Sequence, residues 1–479
     1  MPTLTRSSYK SLTAFSAVFI GAGFLFSLSA SAQEQERARA GRELKAETRT
    51  QETAEAARAR AQLSTGETVT FGQILADPDN LELNFRYAKA QVERGDLLGA
   101  SATLERILLI DPTQDNVRLF HALVLYRLDS LADARQQVQI LRASSNLPSD
   151  IRAQADDLWR EIQLKQKSTR FSTSLSLGFG YDSNRNSAPS SKELLFSDVP
   201  LPLTGTSRHR PDTSLQMIYN LSAAHDLGMQ AGHQLIGSFD TYVGEQTVVD
   251  DLDLHSFSFE TGALLKTFLA QISPTGFFDH ILLSRETYLR SSGVRARWLK
   301  PIGSRWTLES EQSWAHEDYS GINESTTAAE RSGNMINFDI STGFLLTGSM
   351  RLSAGLHYEH KDAKANYYAY EGFGINGSHT WILPKGQFLL ESIDYETNTY
   401  AEPDTSVSTR KRRDQQLRLR ATYGAPVMLF VPDAWVPDWI GRDLTTSLSF
   451  EQFRSLSSIT NYTYSNSKIV WMVTKRVEF

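Results

Sequence analysis

The chain has 479 residues, 49 Lys+Arg against 55 Asp+Glu, a formal net charge of −6 and no cysteine. The acidic balance argues against a nucleic-acid partner, which needs a basic excess. The missing cysteines exclude disulfides, thiolate metal sites, iron–sulfur clusters, thiol nucleophiles and lipid attachment at an N-terminal cysteine.

The first segment reads as a secretory signal. Arg6 and Lys10 give a basic start, and no further charge occurs before Glu34. An apolar stretch from Leu12 to Leu28 runs into Ala30-Ser31-Ala32, the small-residue pattern of a cleavage site, so residues 1–32 are expected to be removed. Residues 33–70 form a charged linker. Seven acidic and seven basic residues lie between Gln33 and Glu67 with no apolar stripe to bury, which makes the segment a solvated spacer.

Residues 71–167 carry a helical repeat. Asp77-Pro78 recurs 34 residues later as Asp111-Pro112, and in the same register Ala88 aligns with Ala122, Leu97 with Leu131 and Ala100 with Ala134. Proline is expected at the start of each first helix, where its fixed φ and missing N–H are tolerated. Gly95-Asp96 and Asp129-Ser130 fall at the turns between helices, and Leu147–Asp150 opens a third unit with a helix through Trp159. The period resembles the tetratricopeptide repeat (TPR). That resemblance implies a short solenoid whose groove takes a peptide or protein.

From residue 168 to 479 the period changes from 3.6 to 2. Phe171, Thr173, Leu175, Leu177, Phe179 and Tyr181 alternate with serines and glycines. Similar runs follow to the C-terminus, among them Ile281–Tyr288, Val294–Leu299, Trp306–His316, Asn334–Leu346 and Thr463–Phe479. Together they predict about 14 strands of about ten residues, the length a tilted membrane strand needs. Tight connections such as 347–349 and 384–386 alternate with long ones such as 182–212, 317–333 and 400–414, as in an outer-membrane barrel. The one long connection on the short-turn side is expected at 426–442. The fold class is therefore α + β multidomain: an N-terminal TPR-like solenoid, then a C-terminal antiparallel transmembrane β-barrel. An even strand number returns the C-terminus to the periplasm, where the helical domain is expected. The last strand carries Trp471 and ends at Phe479, which looks like the signal read by the barrel assembly machinery.

Charges that alternate against apolar neighbours are expected to line the lumen, since lipid would penalise them. They are Arg295 and Arg297 beside Trp298, Glu309 and Glu311 beside Trp306 and Leu308, and Arg418 and Arg420 beside Leu417 and Leu419. No metalloprotease, P-loop or nucleophile-elbow motif occurs, so no catalytic, cofactor or metal site is expected; His357 and His360 fall on opposite strand faces. Arg410-Lys411-Arg412-Arg413 lies in a long outer loop, where guanidinium groups could clamp lipopolysaccharide phosphates.

One local motif is distinctive. Strand 1 ends in Tyr181, Asp182, Ser183, Asn184, Arg185 and Asn186, followed by Ala188-Pro189. Asp, Ser and Asn favour turns by bonding nearby backbone. This run, with the signal, helical domain and barrel, resembles the surface lipoprotein assembly modulator family, also described as type XI secretion. The resemblance implies a non-enzymatic outer-membrane translocon that receives a client protein or its chaperone complex in the periplasm and delivers it to the cell surface. A TPR–barrel exopolysaccharide exporter and a passive porin are the alternatives. The exporter would need aromatic platforms in the lumen, whereas most aromatics here alternate onto the apolar face.

Overall fold

The computed structural model describes residues 71–479 apart from 145–146, 204, 230, 304, 323–324 and 432–442. The expected signal (1–32) and linker (33–70), and most of the 426–442 connection, lie outside the described residues. The described chain divides into a helical unit and a barrel.

The helical unit contains α1 (Phe71–Ala76), α2 (Leu81–Glu93), α3 (Leu97–Ile110), α4 (Asp115–Arg127), α5 (Leu131–Ala143) and α6 (Ser149–Gln166). The 34-residue step governs its packing. Ala88, Ala100, Ala122 and Ala134 are fully buried, where their small size lets antiparallel helices approach closely. Leu104 and Ile107 recur as Val138 and Leu141, all at the core. Gly95 (φ +84°) turns α2 into α3, and 34 residues on Asp129 (φ +63°) makes the same left-handed turn. Asp96 then caps α3 by accepting from the Gly99 N–H at 2.9 Å.

The prolines do not occupy the first helical turn. Asn80 caps α2 by accepting from the Leu83 N–H at 3.0 Å, so the helix begins three residues after Pro78. Pro112 precedes α4 in the same way. Each proline carbonyl instead accepts from a side chain at one repeat position: Asn84 to Pro78 at 2.9 Å, Arg118 to Pro112 at 2.7 Å. The last helix also runs past Trp159, because Ile162 continues its buried face.

The second unit is a closed barrel of 14 antiparallel strands. They are β1 (Thr169–Asp182), then β4 (Asp212–Asp226), β5 (Gln234–Gln246), β6 (Leu254–Lys266), β7 (Gln271–Leu283), β8 (Glu286–Ile302) and β9 (Trp306–Tyr319). The second half comprises β10 (Gly333–Thr347), β11 (Met350–Lys361), β12 (Tyr370–Ile382), β13 (Phe388–Tyr400), β14 (Arg413–Pro426), β15 (Leu444–Ser457) and β16 (Tyr464–Glu478). A small hairpin, β2 (Glu193–Phe196) with β3 (Val199–Pro202), lies inside the first long loop. β1 closes on β16 with Ser172 opposite Glu478 and Asp182 opposite Lys468.

The barrel strands run 12 to 17 residues, longer than a membrane crossing requires. Their extra length carries the long loops. The outward face of the wall is an apolar belt: Leu177, Phe179, Val294, Trp298, Trp306, Trp314, Leu356, Phe373, Ile393, Leu448 and Trp471 are all exposed there. A closed sheet leaves no backbone edge unpaired, which is what allows strands to cross lipid.

Two strands differ from the sequence expectation. Ile281–Tyr288 is not one strand, because Ser284 and Arg285 both have positive φ (52° and 65°) and make a two-residue hairpin between β7 and β8. That backbone suits the strand twist, but its usual Asn-Gly signal is absent. The first strand of that hairpin, β7, contains Pro274. Pairing between β6 and β7 is interrupted opposite Pro274, which has no N–H to donate, and resumes at Leu265 with Ile272.

Candidate functional site in the barrel lumen

Alternation sends every second side chain inward, and on the inner wall charges of opposite sign meet across strands. Glu260 on β6 is the centre of the first group. Its carboxylate accepts from Arg295 Nη1 at 2.7 Å, Arg297 Nη1 at 2.5 Å and the Thr275 hydroxyl at 2.8 Å. Glu311 on β9 pairs with both arginines from the other side, with Arg297 Nε at 2.8 Å and Arg295 Nε at 3.0 Å. Two guanidinium groups are thus balanced by two carboxylates, and Arg295 also lies over the Phe277 ring.

The other candidate charges belong to separate groups. Glu309 accepts from Arg351 at 2.9 Å, two strands away on β11. Arg420 donates to Glu451 on β15 at 2.5 Å, with Arg418 3.8 Å and Lys468 3.9 Å from the same residue. Lys468 also lies 3.8 Å from Asp182 across the β1–β16 seam. The six charges therefore do not converge on one constriction. Their partners Glu260, Arg351, Glu451 and Lys468 are not legible from alternation, because pairing depends on register.

The motif at the exit of β1 ties the first long loop down. Tyr181 faces outward, while Asp182 accepts from the Asn184 N–H at 2.9 Å. Ser183 donates its N–H to the Ser467 carbonyl on β16 at 2.9 Å. The buried Asn184 bonds both backbone groups of Ala188 at 2.9 Å, and Asn186 bonds the Arg208 carbonyl at 2.8 Å and the Arg210 N–H at 3.0 Å. Arg185 reaches the Leu252 carbonyl at 2.5 Å.

At the long-loop end of the barrel, loop residues pack into two buried clusters. Leu194 and Leu203 of the first loop pack with Val407, Ile459 and Tyr462 from the loops before β14 and β16. Tyr288, Tyr319 and Leu289 pack with Val249, Leu252, Ile322 and Ala328. Whereas Phe179, Trp298, Trp306, Trp314, Phe373 and Trp471 lie exposed on the outer face, Tyr370, Tyr400 and Tyr464 point inward at this level. They are buried by packing and offer no open platform to a sugar. Arg412 is taken up here too: it pairs with Asp414 at 2.5 Å and lies 3.5 Å from the Tyr462 ring centroid, so it is withdrawn from any outer phosphate clamp. Arg410, Lys411 and Arg413 stay exposed.

Asp198, in the tight turn between β2 and β3, holds this layer to the loop before β14. Bonds from the Ser408 hydroxyl (2.5 Å) and from the backbone and hydroxyl of Thr409 (2.9 and 2.7 Å) hold its carboxyl down, to about 2. A depressed carboxylate contributes stability above its ordinary value of 3.8 and loses it as pH falls towards about 2. Asp198→Asn should therefore expose the 401–412 loop at neutral pH, read as faster tryptic cleavage after Arg410 or Lys411. In the wild type, peptic cleavage of the same loop should rise as the pH is lowered over that interval. Equal cleavage of variant and wild type would remove Asp198 as the tie.

At the seam, Trp471 faces lipid, stacks on Phe179 with ring centroids 6.2 Å apart, and donates to the Thr446 hydroxyl at 2.9 Å. Phe479 follows the last strand residue. Among the described residues one group could hold a cation: single donor atoms of His357, Glu359 and Glu396 all lie within 4.8 Å of one another. His357 and His360 do face opposite ways, but the carboxylates come from the same strand and from β13, beyond what strand spacing alone indicates.

A family model described as surface lipoprotein assembly modifier matches residues 171–476. The chain belongs to the surface lipoprotein assembly modifier family. The match spans the barrel from the third residue of β1 to within two residues of the end of β16, so the family's role in surface lipoprotein assembly at the outer membrane attaches to the barrel. No curated protein matches the chain. Among solved structures, the outer membrane protein opdK from Pseudomonas aeruginosa is 9% identical, with 65% of this chain and 99% of that chain covered and a TM-score of 0.30. OpdQ from the same organism is 9% identical over 65% and 100%, TM-score 0.31, and OccK7 (OpdD) 9% over 65% and 99%, TM-score 0.33.

Proposed function

We propose that this surface lipoprotein assembly modifier is a non-enzymatic translocon that delivers client proteins from the periplasm to the cell surface. The observation that carries the reading is the family match over the barrel. The helical unit, a TPR-like solenoid over 71–167, captures the client or its chaperone complex in the periplasm. The barrel, which extends from residue 168 and is inserted by the assembly machinery, supplies the route outward. The arrangement is supported by the even strand count, which puts both barrel termini on the short-turn side. The packed loop clusters at the long-loop end weigh against a passive porin. No nucleotide site is evident in the sequence, so client folding outside would supply the driving force. Exposed Arg410, Lys411 and Arg413 are the groups left to meet lipopolysaccharide.

Protease shaving of intact cells tests this. Loss of the gene should remove one or a few surface proteins and accumulate them in the periplasm. Deletion of Gly66–Lys167 should do the same while the barrel still migrates as a folded, heat-modifiable species. If the deletion variant displays its clients normally, the helical unit has no capture role. An unchanged surface proteome without the gene would overturn the translocon itself.

A further inference from the structure

The inner wall at β10–β13 carries a group that the charge pairs above do not include. His357 and Glu359 project inward from β11, and Glu396 and Asn398 from β13. Between them, β12 presents Gly374 opposite His357 and Glu396, and Gly372 opposite Glu359 and Asn398. These glycines leave the space in which the two sets meet. A Cβ on Gly372 would lie 2.5 Å from Glu359 Cγ and 2.6 Å from Asn398 Oδ1.

Three observations converge on a ligand. Glu359, Glu396 and Asn398 are only 4%, 8% and 3% exposed, yet Glu359 Oε1, Glu396 Oε1 and Asn398 Oδ1 have no hydrogen-bond partner. A buried carboxylate oxygen without a partner is costly, and Glu396 otherwise meets Asn398 and a second acid, Glu359, so these atoms call for a cation or a proton. Lys361, two residues along β11 from Glu359, is engaged by Glu317 at 2.5 Å. Finally, His357 Nδ1 lies 2.8 Å from Asp339 Oδ1, which leaves Nε2 directed to the pocket, 3.6 Å from Glu359 Oε2. A carboxylate behind one imidazole nitrogen fixes the tautomer that ligates through the other.

We infer that His357, Glu359 and Glu396 form a divalent metal site in the barrel wall, with Asp339 as the carboxylate that orients His357. One imidazole with two carboxylates suits a borderline ion such as zinc better than calcium, which takes an all-oxygen shell. The donors would close from within 4.8 Å of one another to about 3.3 Å in a tetrahedral set, the fourth position taken by Asn398 or a lumen water. The inference does not depend on the transport reading.

The test is a zinc chloride titration of the full chain, stripped with chelator, in detergent, followed by calorimetry, with folding checked by heat-modifiable migration. The wild type should bind one zinc that excess calcium does not displace. Glu396→Gln and His357→Gln, each near-isosteric, should weaken that site by at least about tenfold while the barrel stays folded. A folded wild type that binds no zinc would overturn the site and leave a proton shared by the two glutamates. Unchanged affinity in the folded variants, or displacement by calcium, would overturn it as well.

Discussion

Replacing Gly178 with valine is expected to prevent the barrel from closing. Gly178 stands opposite Met472 at the seam where the first strand meets the last. A Cβ there would lie 1.9 Å from the Trp471 carbonyl oxygen and 2.5 Å from Met472 Sδ. The first of these is backbone in the ladder that seals the barrel, and it cannot move aside without breaking its pairing. Closure of this seam removes both sheet edges, so the cost falls on assembly itself. The variant should be lost from the outer-membrane fraction and show no heat-modifiable band. Gly237→Ala is the matched control, since its nearest outside atom would be 3.7 Å away, and it should assemble normally. If the two variants assemble equally well, the seam does not need the glycine.

The second large effect is expected from Glu260→Ala. This carboxylate is the buried member of its group, with a side chain 9% exposed, and two guanidinium groups share it. Its loss removes the carboxylate that both Arg295 and Arg297 share. Removing one partner from a buried ion pair costs about 3 kcal/mol, because the remaining charge stays desolvated. The urea midpoint of the folded barrel should fall accordingly. Glu311→Ala removes the same charge from a more open position, 37% exposed, and should cost about 1 kcal/mol or less. A larger loss at Glu311 than at Glu260 would mean that the lumen screens both positions alike.

How far the sequence could be read depended on the range of the interaction. The strict alternation of Phe171 to Tyr181 needs no partner to be recognised, so the barrel class and its strand number were legible. So was the helical period, because the alanines at 88, 100, 122 and 134 mark close approaches at a fixed step. The Ser284-Arg285 hairpin was not, since neither residue is a usual left-handed former. The gap in pairing beside Pro274 is likewise visible only with its neighbouring strand in place. The lumen posed the same limit more strongly. Alternation can put Arg295, Arg297, Glu309 and Glu311 on one face. It cannot show that Glu309 meets Arg351 rather than an arginine of β8, since that follows from the side-chain reach across β10. The same holds for Glu396, which meets His357 only because two glycines on β12 leave the gap.

The first long loop is moored on both flanks of β1. Asn184 binds Asn466 and the Ser465 carbonyl on one side, Arg185 binds the Leu252 carbonyl on the other, and Asp198 binds Ser408 and Thr409 further round the rim. A flap hinged at one edge could swing aside and leave the rest of the cap in place. A segment fastened at separated points around the circumference cannot; freeing any one fastening leaves the others holding. Release of the first long loop from the rim would therefore require several separate sets of hydrogen bonds to break together.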